Sequence, residues 1–228
     1  MTAIAPTARS RRLLLAATAA TIVCWFLPGA FLLVYPFRLL VTFVHEGAHA
    51  LVTVLTGGSV LDIMLDPAGN GLTRSNGGLP VMIYPAGYVG TTALGALLLL
   101  WAKPRNGKNI LGILALSVGV VTLLWVRNPF GIIVGLTWCG VLLAMRKYAA
   151  SPVADFAASF LAVQLCLNAV LDIRTLLVLT TSTGMANDAV FMADAYGLTP
   201  WFWAGLWSIL SLIILVIALR SAWSGRRT

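Results

Sequence analysis

The chain has 228 residues, 60% of them hydrophobic, with 15 basic and 7 acidic side chains. A soluble domain of this length cannot hide so much apolar surface in one core, so the composition excludes a soluble globular protein. The formal net charge of +8 sits in short polar stretches and tails, among them Lys103, Arg105, Lys108, Arg146 and Lys147, which is a membrane-topology pattern and excludes a nucleic-acid partner.

A bilayer crossing needs roughly 20 apolar residues. Runs of that kind fall at about 13–35, 39–56, 80–102, 109–126, 130–146, 153–180 and 200–220. They predict an all-α polytopic transmembrane bundle of six to seven spans, a multi-pass protein of the cell membrane built as one integral domain over residues 1–228. The first run follows "RSRR" in the manner of a signal peptide, but it continues past Pro28 without a small-residue cleavage site, so it reads as a retained span. The positive-inside rule places the basic loops at 103–108 and 146–147 on the cytoplasmic side. Cys24, Cys139 and Cys166 are odd in number, far apart and set in apolar runs, and read as packing residues.

The second run holds both histidines of the chain, His45 and His49, with Glu46 between them in the pattern H-E-x-x-H. On a helix, positions four apart share a face, so the two imidazoles can chelate one metal ion while Glu46 addresses a water beside it. Ionisable groups at bilayer depth cost about 2.5–3.5 kcal/mol each even on lenient scales, and are retained there for function. Two imidazoles and a carboxylate leave one position of a tetrahedral site open, which makes Zn2+ the expected ion. Gly47, Ala48 and Ala50 leave the helix little bulk and invite close neighbours.

After this helix, residues 57–79 alternate around Val60, Ile63 and Leu65 and contain a Pro-Ala-Gly-Asn-Gly turn. They predict a short β-hairpin with Asp62 and Asp66 as solvated strand and turn residues. The next span repeats Gly87, Thr91 and Gly95 every four residues, a small-residue stripe expected to pack on the histidine helix. Asp155, after Ser151 and Pro152, suits the positive end of a helix dipole. Asp172 has apolar flanks, with Asn168 one turn earlier on the same face, and is the first candidate for the third metal ligand. Asp188 is the alternative. It lies with Asp194 in a polar connection, residues 181–199, which reads as a solvated helix unless it folds back over the site. Trp201, Trp203 and Trp207 at the start of the last span read as an interfacial aromatic belt.

Five stretches together resemble the intramembrane site-2 proteases, and within them the compact peptidase M50B-like branch. They are "HEGAHALVTVLTGG" (45–58), "GNGLTR" (69–74), "YPAGYVG" (84–90), "NAVLDI" (168–173) and "NDA" (187–189). The resemblance implies a zinc-dependent intramembrane endopeptidase acting on membrane-anchored proteins or peptides, with His45, His49 and Asp172 as zinc ligands and Glu46 activating water. It also implies that Asn168 binds a substrate carbonyl or the developing oxyanion. "LDI" stands here where the family has Leu-Asp-Gly. Two other classes fit parts of the pattern: a non-proteolytic membrane protein of the same fold with a structural or vestigial metal site, and a metal or ion transporter. The absence of an inverted repeat weighs against the transporter.

Overall fold

The structure, a computed structural model, describes residues 15, 16, 18, 19, 23, 31–102, 106–181 and 187–224. Side chains are described for the same residues apart from 31, 168–181 and 223–224. The chain folds as a polytopic helical bundle with one small antiparallel hairpin. In chain order the elements are α1 (Phe31–Leu55), β1 (Ser59–Leu65), β2 (Gly71–Asn76), α2 (Pro80–Pro85), a π-helical turn (Ala86–Gly90), α3 (Thr91–Trp101), α4 (Gly107–Trp125), α5 (Pro129–Tyr148), α6 (Ser151–Thr181), α7 (Asp188–Tyr196) and α8 (Pro200–Ser224).

Among the described residues, five helical segments are long and apolar enough to cross a membrane: Leu32–Leu55, Pro80–Trp101, Gly107–Trp125, Pro129–Tyr148 and Pro200–Ala222. The 31-residue α6 is about 46 Å long at 1.5 Å per residue, and its first part, Ser151–Leu167, is apolar. The expected first span lies largely outside the described residues.

Pro80–Trp101 is one continuous rod with a defect. Pro85 brings no N–H to the helical ladder, and the chain accommodates it with a π turn at Ala86–Gly90 before α-helix resumes at Thr91. That turn carries Gly87 and Gly90 and bulges toward α1. The stripe of small residues is thereby divided between two partners. Gly87 faces His45 of α1, whereas a side chain on Gly95 would meet Cys166 and Ala162 of α6. Gly47 of α1 admits Val121 of α4, and Ala48 sits against Gly90, so the small residues of the histidine helix do admit close neighbours.

The hairpin lies along one face of α1. Tyr35 Oη donates to Pro67 O at 2.7 Å, Thr42 Oγ1 donates to Gly69 O at 3.0 Å, and the Arg38 side chain lies beside Gly69. With Glu46 these residues recur every three or four positions, a single stripe of the helix. The turn is closed by Asp66, whose Oδ1 accepts from Asn70 N at 2.9 Å, and by Gly69 at φ 86°, a left-handed position that glycine adopts without strain.

The outer side of β1 is occupied by the α4–α5 connection. Arg127 N donates to Ile63 O at 3.1 Å, and the Asn128 side chain bonds both Leu65 N and Leu65 O. Ile63 and Leu65 therefore point their backbone groups away from β2, which fixes the phase of the ladder: Leu72 and Arg74 face β1, while Gly71, Thr73 and Ser75 present N–H and C=O along the other edge. Among the described residues nothing pairs with that edge.

Three expectations change in the structure. Asp62 is not solvated: it is buried and ion-paired with Arg74 across the hairpin, and the hydrogen bond from that guanidinium holds its carboxyl below the usual carboxylate range. Trp207 is not part of an aromatic belt. It is 2% exposed and stacks on Tyr88 at 5.6 Å, while Trp201 remains exposed. Asp155 serves a second helix besides its own, because its buried Oδ1 accepts from Gly107 N at the start of α4.

Candidate metal centre

His45 and His49 lie one turn apart on α1, their ring centroids 4.8 Å from each other. Each ring is held by a different neighbour. His49 Nδ1 lies 2.7 Å from Ile83 O of α2, a carbonyl that can only accept, so Nδ1 carries the proton and Nε2 of the neutral ring keeps its lone pair. His45 meets the edge of Tyr88 at 4.7 Å, and Tyr88 is backed by Trp207. Gly87 makes the room for this: a Cβ there would collide with the His45 ring at Nε2, Cδ2 and Cε1.

The carboxylate that meets both rings is Asp188. Its Oδ2 lies 3.5 Å from His45 Nε2 and 3.4 Å from His49 Nε2, and the three ligand atoms are all within 4.8 Å of one another. A zinc ion with bonds of about 2.0–2.1 Å in tetrahedral geometry separates its ligand atoms by about 3.3–3.4 Å. The two carboxylate–imidazole edges fit that figure, the two imidazole nitrogens lie no more than 4.8 Å apart, and the donor set is one that zinc takes.

Local structure explains why Asp188 arrives there. Asn187 caps α7, its Oδ1 accepting from Val190 N at 3.1 Å, which makes Asp188 the first helical residue. The helix is then fastened to the site. Phe191 stacks on Tyr84 at 6.0 Å, and Ala189 and Met192 are buried in a cluster with Tyr88 and Trp207. Gly197 ends α7 at φ 76° and redirects the chain into α8. Helix α7 thus brings its first residue to the histidines. Asp194 stays exposed.

Glu46 is 6% exposed and points to the hairpin. Thr73 Oγ1 of β2 lies 2.7 Å from its Oε2 and 3.1 Å from its backbone O. Gly71 is the other half of the cradle, since a side chain there would occupy the space of the Glu46 carboxylate. Neither residue stood out in the sequence beyond the motif that contains them. The available signal was strand parity: Gly71 and Thr73 fall on one face, and small residues there leave room for an acid. Asn168 and Asp172 lie on α6, where the backbone alone is described, so their side chains are outside the described residues.

The family model for Peptidase M50B-like proteins matches residues 14–218, nearly the whole chain. The chain belongs to the Peptidase M50B-like family. Membership gives this bundle a membrane metallopeptidase-type fold and agrees with the clustered His-His-Asp group. No curated protein and no solved structure matches the chain.

Proposed function

We propose that the protein is a zinc-dependent intramembrane endopeptidase of the cell membrane that hydrolyses peptide bonds of membrane-anchored substrates. The observation that carries the reading is the convergence of Asp188 Oδ2 on both histidine Nε2 atoms next to a buried, hydrogen-bonded Glu46.

His45, His49 and Asp188 would hold the zinc ion. When bound there, zinc would supply Lewis acidity toward a carbonyl oxygen and a water. Glu46 takes the proton from the attacking water and returns it to the leaving amine. Thr73 restrains the Glu46 carboxylate in the space that Gly71 leaves open. Tyr88, Trp207 and Met192, a buried apolar cluster beside His45, exclude bulk water from that side.

A helical substrate hides its scissile carbonyl in its own hydrogen bonds and must unwind first. The open edge of β2 offers an unwound segment backbone partners at Gly71, Thr73 and Ser75, and strand addition is a recurrent way to hold extended peptides. The outer edge of β1 is already taken by residues 126–128. A strand added on β2 runs past the residue that holds Glu46.

Thr73→Val keeps the shape and removes the hydroxyl. Hydrogen bonds to charged groups are worth about 1.5–3 kcal/mol, so cleavage should slow by roughly tenfold or more while zinc content is unchanged. Equal rates for variant and wild type would remove Thr73 from the mechanism. The function itself is tested with zinc-loaded protein in liposomes and a library of single-span peptides, analysed by mass spectrometry. Products that vanish on chelation and return with zinc support the reading; no product from any peptide overturns it.

A further inference from the structure

Away from the metal centre, α4 and α5 enclose a cleft of about 600 Å³. Two glycines form its floor. A methyl group on Gly119 would touch Cys139 Sγ at 3.4 Å, and one on Gly112 would run into the Arg146 guanidinium, which lies across the groove at that level. The walls are Ile113, Leu116, Val120, Leu123 and Leu143. One end is chemically different: Trp101, Asn109 and Arg146 meet there, and Lys108 and Lys147 adjoin them in sequence.

From Asn109 to Leu123 the helix rises about 21 Å at 1.5 Å per residue. Half of a hydrocarbon core of about 30 Å is about 15 Å, so the cleft is long enough to take an acyl chain through the depth of one leaflet. Trp101 and the cations sit where an interface would be, and the apolar trough extends inward from them. No Asp or Glu occurs between residues 107 and 148, and Arg146 makes no ion pair among the described residues. An arginine at the mouth of an apolar trough matches a phosphate on an acyl chain. A headgroup with its own ammonium would bring a like charge to Arg146, Lys108 and Lys147, which favours a lipid of net negative charge.

We propose that the α4–α5 cleft is a binding site for an anionic phospholipid, with one acyl chain along Gly119 and the phosphate held by Arg146 beside Gly112. The site is independent of the metal centre. It is tested by native mass spectrometry of protein released from nanodiscs that contain equal amounts of phosphatidylglycerol and phosphatidylcholine with identical acyl chains. Wild type should retain phosphatidylglycerol at least fivefold over phosphatidylcholine, on the order of what one unpaired phosphate contact provides. Arg146→Gln should remove that preference, and Gly119→Leu should lower retention of both lipids. Leu116→Trp, at an exposed position of the same wall, replaces Gly119→Leu if the latter fails to fold. Equal retention of the two lipids by wild type, an undiminished preference in Arg146→Gln, or full retention in the filled cleft overturns the proposal.

Discussion

Glu46→Gln should bind zinc as wild type does and cleave substrate about 10²–10⁴-fold more slowly, the range that a positioned general base contributes. The substitution preserves volume and still accepts a hydrogen bond from Thr73 through its carbonyl oxygen, so the α1–hairpin contact survives. What disappears is the ability to take a proton from water and give it to the leaving amine. Single-turnover cleavage of a membrane peptide, with zinc measured in the same preparation, separates this from loss of the metal. A Glu46→Gln protein that cleaves at the wild-type rate would mean that another group is the base.

Gly87→Ala is expected to be far more damaging than its size suggests. Alanine favours a helix over glycine by up to about 1 kcal/mol, so the helix itself should tolerate the change. The new methyl group, however, meets the His45 ring from Nε2 to Cε1, and the ring is the softer party. It must turn away from Asp188 and from its packing on Tyr88. Loss of orientation at a metal-ligating histidine costs about 10–100-fold in metal affinity. Competition with a zinc indicator should show a weakening of that order, with cleavage falling in step at limiting zinc. Unchanged affinity would contradict the placement of the π turn against α1.

Much of the fold was legible because membrane spans are written in length and polarity alone: the boundaries of α4, α5, α6 and α8 fall within a few residues of the apolar runs. The hairpin was legible from alternation and its Gly-rich turn, and His45, Glu46 and His49 from the expense of ionisable groups in an apolar helix. Asp188 was harder. Its surroundings are polar, and local sequence reads them as solvated, whereas Asp172 has apolar flanks. What brings Asp188 to the histidines is tertiary, the Phe191–Tyr84 stack and the burial of Ala189 and Met192 against Tyr88 and Trp207. Trp207 departs from its sequence pattern for the same reason: indole at a span end favours the interface in general, but here it has an aromatic partner, Tyr88, on another segment. The Glu46–Thr73 contact depends on how the hairpin lies along α1, which no pattern in either segment specifies alone.

Zinc content is the most direct test of the account. Purified wild type should carry about one zinc per chain. His45→Ala and Asp188→Ala should lose it, while Asp172→Ala should keep it. Zinc retained by Asp188→Ala and lost by Asp172→Ala would contradict the site built on α1 and α7 and return the third ligand to α6.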